Sequence, residues 1–564
     1  MKNLICLLVF AGLAHASTDL RTLAEKSNWK KTGTAEETEK LCHAFHKTFP
    51  KKVQCRRYGK TPENRDLMYM IIGDPKDPSV WVQAGIHAGE IDGKDAVFLL
   101  IREILEGKLK NNPLTGIKLV FIPIVNLDGH ERMGKWNRPN QIGPEEMGWR
   151  TTAQNLNLNR DFMKADAPEM RDLLKLWHKI DPILSLDLHV TDGAQFQPEV
   201  GLIILPNTNH GSSSLHQAGR VFEMALMEKM KERKHLALPF YPSFEVEDDP
   251  LSGFARYVAP GRFAHGYWYN NNRLGMLVET HSWKDYANRV STHHDTVLSS
   301  LEIAQIHAQA FQQAEKDLDA QKVSGEVNLE YKHTKKSVLI DFPGYRFTKE
   351  KSDVSGEKVI KYDPSVPENW KLPLYEELES KLTIEAPEQG YFVQPADRDW
   401  ILPKLQAHRI EFLEWTKDNA QKLKVFRAIK TQFSAGSFEG RQTLVAEGEW
   451  KTENVQLPRG SIFIPIQQSK GRLILQLFEP RAQDSFLSWG FFNRAFEKKE
   501  YMENYVADEV AKEMLKNLEV KAEFQAKLST DLEFAKSPEK RFEFFYKKHP
   551  SWDERFNRYP VFKR

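Results

Sequence analysis

Residues 80–107 read VWVQAGIHAGEIDGKDAVFLLIREILEG, and this stretch sets the architecture of the first half of the chain. VWVQAGI (80–86) is a short apolar run with the pattern of a strand buried on both faces. DAVFLLIREILEG (95–107) has helical apolar spacing and a terminal Gly. Similar elements recur on either side. VQCRRYG and DLMYMIIG flank the turn TPENR, with Pro62 and Asn64, and read as paired strands. IKLVFIPIV (117–125), ILSLDLH (183–189), VGLIILP (200–206) and GMLVET (275–280) supply four more strands. Helices are expected over 35–48, over 168–180 (with Pro168 in the first turn) and over 296–318. Strands and helices alternating at this pace predict an α/β domain whose largely parallel central sheet is flanked by helices on both faces.

The chain has 564 residues, too many for one core, so two or three domains are expected. Lys and Arg total 80 against 78 Asp and Glu, a net charge of +2. That balance lacks the concentrated basic excess of a dedicated nucleic-acid binder, and no nucleic-acid partner is expected. MKNLICLLVFAGLAHA (1–16) has Lys2 at its start, an apolar stretch over 4–14 and the small-x-small ending Ala14-His15-Ala16. This is the form of an export signal peptide. It is too short to remain in a bilayer as a spanning helix, and no later run reaches the necessary length. The expectation is an exported, soluble protein, periplasmic or secreted, without stable membrane insertion. With Cys6 inside the signal, Cys42 and Cys55 remain. In an exported chain such a pair forms one disulfide or stays as two reduced cysteines, and neither belongs to a metal-type CxxC.

Four short strings each follow an apolar run that reads as a strand: His87-Ala-Gly-Glu90, Asn159-Arg160, His189 and Glu279. In α/β sheets, chemistry gathers where strands end at their carboxyl edge. Catalytic zinc takes three protein ligands and keeps one position for water. His87 and Glu90 stand three residues apart where a strand enters a helix, so one turn brings both to the same side. His189 ends a further strand, and a neighbouring parallel strand brings it to the same edge. The set is two imidazoles and a carboxylate, a donor mixture that suits zinc.

In this order and at these separations the strings resemble the zinc metallocarboxypeptidase family, the carboxypeptidase A-like enzymes. The resemblance covers roughly residues 35–318 and includes GIHAGE, the NLDG turn at 126–129, NLNR at 157–160, DLH at 187–189 and VET at 278–280. It implies one zinc ion held by His87, Glu90 and His189, a mixed central sheet, and hydrolysis of the C-terminal peptide bond of peptides. It also implies that Glu279 is the catalytic carboxylate, taking a proton from water and delivering it to the leaving amine. Asn159 and Arg160 match the pair that grips the substrate's terminal carboxylate, for which the planar arginine fork is suited. A second arginine is expected to polarise the scissile carbonyl. Arg150 in GWRTTAQ is favoured, with Arg138 in KWNRPN as the rival. Tyr257 sits at the family offset for the tyrosine that closes over substrate, with Tyr267 and Tyr269 as alternatives. His281, two residues after Glu279, matches no ligand of the family.

Two departures stand out. Many relatives carry an Asp two residues before the Asn-Arg pair, orienting the first zinc histidine, where this chain has Asn157. An amide oxygen accepts the same hydrogen bond without the charge, a weaker support. Counting back from Glu279, the specificity-pocket floor falls on Ala264, which argues against a site dedicated to basic side chains. On these grounds the first domain is a catalytic unit over 17–320, with a polar linker over 320–335. Residues 336–564 form a C-terminal α+β region of unknown fold and role. There SVLIDF, TLVAEGEW, SIFIPI and RLILQLF (472–478) read as strands, and DWILPKLQAH (399–408) and 501–518 as helices. Two competing functions share the motifs: an N-acyl amino acid deacylase of the aspartoacylase type, and a non-catalytic binding protein that retains the fold. Within the peptidase reading, a peptidoglycan stem peptide is an alternative substrate.

Overall fold

The computed structural model describes residues 19–564. The export signal expected over 1–16 lies outside them. The first unit is built on an eight-stranded sheet. Its strands are β1 (Val53–Lys60), β2 (Asp66–Ile72), β3 (Ser79–Ala84), β4 (Lys118–Ile122), β5 (Leu184–Val190), β6 (Val200–Leu205), β7 (Ala237–Leu238) and, past the short β8 (Phe254–Ala255), β9 (Gly275–Thr280). Their order across the sheet is β1-β2-β4-β3-β5-β9-β6-β7. Strands β4, β3, β5 and β9 run parallel to one another. β1–β2, β2–β4 and β6–β9 pair antiparallel. The sheet is mixed around a parallel centre, and β3, β5 and β9 are buried along their whole length.

The helices of this unit are α1 (Leu23–Lys26), α2 (Ala35–Thr48), α3 (Asp92–Leu105), α4 (Leu127–Glu131), α5 (Pro168–Ile180), α6 (Ser214–Glu232), α7 (Ala264–Asn270) and α8 (Tyr286–Asp319). Successive strand residues point to opposite faces, and this alternation separates core from chemistry. Val80, Val82, Leu186, Leu188, Met276 and Val278 join Val97 and Phe98 of α3, Phe222 and Leu226 of α6 and Val297 and Leu301 of α8 in one apolar cluster. The intervening residues, Trp81, Gln83, Ser185, Asp187, His189, Leu277 and Glu279, therefore face the other side. There α5 and α7 cover the sheet, with the Trp177 indole donating to Ser185 Oγ at 3.0 Å. Cys42 in α2 and Cys55 in β1 are joined in a disulfide.

The compact units cut the chain differently from the division expected at 320–335. The first unit continues to Ala386 and takes in Trp400–Glu411 and Ile466–Leu477. The polar stretch contains a strand, β10 (Glu326–His333), paired with Leu378–Glu385. The long hairpin of β11 (Val338–Lys351) and β12 (Lys358–Tyr375) adds Leu374 and Tyr375 alongside Phe254 and Ala255 of β8. Phe342, Trp370, Leu372 and Leu374 of that hairpin share a cluster with Phe196, Phe240 and Phe254. Apolar burial, invisible to a scan for polar linkers, fixes the boundary. RLILQLF is a helix (Gly471–Phe478), not a strand. Leu473, Ile474, Leu475, Leu477 and Phe478 are fully buried, and a short run buried on all sides has no periodicity to distinguish the two forms.

The second unit comprises Pro387–Asp399, Phe412–Pro465 and Phe478–Arg564. Its six-stranded sheet is antiparallel throughout, in the order Leu413–Glu414, Ile462–Pro465, Gly390–Val393, Arg558–Lys563, Asn419–Phe433, Leu444–Leu457. Helices Asn504–Met514, Leu518–Thr530 and Pro538–Tyr546 complete an α+β unit.

Candidate metal centre and substrate pocket

At the end of β3, Gly85 takes φ +65, a left-handed conformation that glycine adopts without steric cost. The turn carries His87 and Glu90 back over the sheet edge, and the backbone N–H of Glu90 donates to the His87 carbonyl at 2.9 Å. β5 delivers His189 to the same edge, in register with Glu279 on β9. One ligand atom from each of His87, Glu90 and His189 lies within 4.8 Å of the other two, and no second such group of three occurs among the described residues. His87 Nδ1 is 3.0 Å from Glu90 Oε1, and His189 Nδ1 is 2.8 Å from Glu90 Oε2. Two nitrogens and one carboxylate thus converge, and the donors fit a zinc ion.

The other nitrogen of each ring is also held. His189 Nε2 lies 2.8 Å from Asp187 Oδ2, and Asp187 Oδ1 accepts from Gln83 Nε2 at 3.0 Å. His87 Nε2 lies 3.2 Å from Asn157 Oδ1. One imidazole is backed by a buried carboxylate and the other by a neutral amide. Burial pushes His87 down to about 4. Burial acts the same way on His189, but Asp187, Glu90 and Glu279 together outweigh it and hold that ring well above its usual value. Burial pushes Glu90 up, and Arg138, His87 and His189 together outweigh it, keeping the carboxylate well below its usual range.

His87 and Glu90 line a cavity of about 260 Å³, whose walls also include Arg150, Asn159, Arg160, Tyr241, Tyr257, Phe263 and His265. Glu279 lines it beside the ligands, 8% exposed. Burial pushes its carboxyl up to about 8, with His189 pulling down and Glu90 and Asp192 adding to the rise.

Arg160 and Asn159 reach the pocket from a short 3-10 turn, Leu158–Arg160. Asn157 Oδ1 caps it by accepting from Asn159 N at 3.0 Å. The same oxygen faces His87, so one amide contacts both that imidazole and the turn that carries Asn159 and Arg160. Arg150 is placed by the NLDG turn. Asn126 Nδ2 donates to the Arg150 carbonyl at 3.1 Å, and Trp149 N to the Gly129 carbonyl at 2.7 Å. A Cβ on Gly129 would meet the Trp149 carbonyl oxygen at 2.7 Å, so only glycine permits that approach.

Both candidate arginines reach Glu90 Oε1 but differ in exposure. Arg150 lines the pocket with its side chain 35% exposed, its Nη1 3.3 Å from that oxygen. Arg138 is mostly covered, its Nη1 2.8 Å from Glu90 Oε1 and its Nη2 3.3 Å from the carbonyls of Val190 and Thr191. Tyr257 stands at the wall, 40% exposed, while Tyr267 and Tyr269 are buried. The Tyr267 hydroxyl lies between His178 Nε2 and His408 Nδ1, 2.9 Å from each, and is not available as a lid. His281 stacks on Phe196 at 3.9 Å and accepts its backbone N–H, a core role. Ala264 is fully buried, and its neighbours Phe263 and His265 face the cavity instead.

Asp187, Tyr241, Asp192, Phe263 and His265 were not among the residues expected here. Asp187 had a signal, since it stands two residues before His189 on one strand and shares its face. Tyr241 had none, because it reaches the pocket from a loop.

Residues 38–198 match the profile of the family described as zinc carboxypeptidase. Carboxypeptidase 2 of Trichophyton rubrum is 25% identical over 155 residues, 26% of this chain and 26% of that protein. The matched stretch thus spans about a quarter of that relative's length. A metallo-carboxypeptidase from Burkholderia cenocepacia aligns with a TM-score of 0.35 and 19% identity, over 48% of this chain and 69% of that one. Carboxypeptidase A from Helicoverpa armigera aligns with a TM-score of 0.36 and 18% identity, over 51% and 75%. The profile match takes in His87, Glu90, Asn159, Arg160 and His189 and stops short of Glu279. Over residues 38–198, then, this chain is similar to the zinc carboxypeptidases, in keeping with the resemblance carried by GIHAGE, NLNR and DLH.

Proposed function

We propose that the chain is an exported zinc carboxypeptidase that hydrolyses the C-terminal peptide bond of peptides. One observation carries the proposal: His87, Glu90 and His189 converge, and His87 and Glu90 line one cavity with a buried carboxylate and an Asn-Arg pair. A zinc ion held by His87, Glu90 and His189 would supply Lewis acidity at the scissile carbonyl and acidify a water. The remaining steps belong to the chain's own groups. Arg160 and Asn159 grip the substrate's terminal carboxylate and so place the last peptide bond in the site. Arg150 donates to the carbonyl oxygen as negative charge develops there. Glu279 takes the proton from the attacking water at a carboxylate oxygen and passes it to the leaving nitrogen. Tyr257 covers the bound residue from the wall.

Export rests on the apolar, charge-led opening of the sequence and is supported by the Cys42–Cys55 disulfide, a bond that persists in oxidising compartments. Among the described residues no helix is long and apolar enough to cross a membrane. The test compares zinc-loaded and chelated protein on blocked dipeptides, free or amidated at the C-terminus. Zinc-dependent cleavage of the free forms is expected. Equal cleavage of amidated forms removes the role given to Arg160. Turnover of acetyl or succinyl amino acids in preference to peptides assigns the deacylase reaction instead.

A further inference from the structure

Helix α7 starts at Ala264, and the residue at its N-cap is Phe263. That position ordinarily takes Ser, Thr, Asp or Asn, whose side-chain oxygen accepts from the first free backbone N–H groups. Phenylalanine has no such atom, and the helix has no side-chain cap. The local rule is broken at a residue that lines the pocket, and such breaks are expected at functional positions. The ring has a different contact. The guanidinium carbon of Arg160 lies 4.5 Å from its centroid. Arg160 Nη1 also donates to the Asn159 carbonyl at 2.9 Å, which ties one corner of the fork. The ring offers a flat, electronegative face to the guanidinium. A leucine would fill much of the same space beside Leu205, Ala259 and Tyr269 without supplying that face.

We propose that Phe263 is a positioning residue for the carboxylate clamp. Its ring fixes the plane of the Arg160 fork so that two N–H groups meet a substrate carboxylate together. This rests on the clamp role given to Arg160 above. An arginine that must first be oriented pays in binding rather than in bond breaking. Loss of the ring therefore raises KM and leaves kcat alone.

The experiment uses the zinc-loaded full chain, a blocked dipeptide with a free C-terminus, and its C-terminal amide. Phe263→Leu is expected to raise KM for the free acid roughly three- to thirtyfold. Its kcat on the free acid should hold, and kcat/KM on the amide should fall by less than on the free acid. Phe263→Tyr keeps the π face and should restore the original KM. Pentafluorophenylalanine at position 263 keeps the ring's shape and reverses its electrostatics, so it should raise KM as leucine does. An original KM in the leucine or fluorinated protein overturns the proposal. So does an equal loss on acid and amide, which indicates packing alone. If the unaltered protein cleaves acid and amide alike, the clamp itself fails and the proposal with it. Discrimination retained in full by Phe263→Leu removes only the part given to Phe263.

Discussion

Replacing Asp187 with Asn tests whether the two imidazoles are supported unequally. Asp187 is fully buried. It meets His189 Nε2 at 2.8 Å and Gln83 Nε2 at 3.0 Å, so both of its oxygens are engaged. The change removes the charge while keeping the shape, and it sets an amide N–H₂ against either the His189 ring or the Gln83 amide. A charge-assisted hydrogen bond contributes about 1.5–3 kcal/mol, and loss of a histidine's outer partner typically weakens metal binding about 10–100-fold. Asn157 holds His87 Nε2 at 3.2 Å through a neutral oxygen. A neutral hydrogen bond contributes about 0.5–1.5 kcal/mol, so Asn157→Ala should weaken zinc by only about 2–10-fold. Asn157→Asp, which restores a charge behind His87, should tighten it. Competition titration against a chromophoric chelator reads all three dissociation constants, with circular dichroism to confirm folding. If Asp187→Asn binds zinc as tightly as the unaltered protein, or Asn157→Ala costs more than Asp187→Asn, the unequal support is refuted.

Three further outcomes follow from the same geometry. Arg150→Ala should lower kcat about 10²–10³-fold, the usual loss for one oxyanion donor, with zinc content unchanged. Arg138→Ala should instead disturb Glu90 and metal retention, and a larger kcat loss at constant zinc in Arg138→Ala would exchange their roles. Removing the disulfide with Cys42→Ser and Cys55→Ser opens a loop of sequence separation 13. Chain-entropy arguments put the loss near 3 kcal/mol, and unchanged denaturant midpoints would contradict it. The chain Glu199–His235–Asp295–His294–Glu103 gives a pH signature. Hydrogen bonds to Asp295 and Glu199 raise His235 to about 9. Burial lowers His294, but its bonds to Asp295 and Glu103 outweigh that and raise it to about 9 as well. Each folded value lies above the unfolded one of about 6.5. Their stabilisation is therefore complete below that pH and lost as pH rises through 9. The melting temperature should fall over this window, and His235→Gln with His294→Gln should flatten the fall.

What the sequence disclosed tracks how local each signal was. β3, β5 and β9 read correctly because a buried parallel strand is a short apolar run with little else in it. Their carboxyl ends then located His87, His189 and Glu279. The family resemblance, carried by NLNR, places Asn157 behind His87, where the structure has its Oδ1 3.2 Å from Nε2. The failures were of another kind. RLILQLF is uniformly apolar, and only its packing makes it a helix. β10 lies in a polar stretch that reads as linker, since only Leu329 and Glu330 of its eight residues are fully buried. Tyr241 and His265 enter the pocket from segments whose course depends on distant packing. Counting from Glu279 reached Ala264, but the first turn of α7 buries that side chain and leaves its neighbours on the cavity wall.

Zinc stoichiometry measured on the purified full chain, with His87→Ala, Glu90→Ala and His189→Ala beside it, tests the central claim most directly. One zinc per chain is expected in the unaltered protein, and each single replacement should release it under the same dialysis. Stoichiometric zinc retained by any two of the three variants would contradict the shared site.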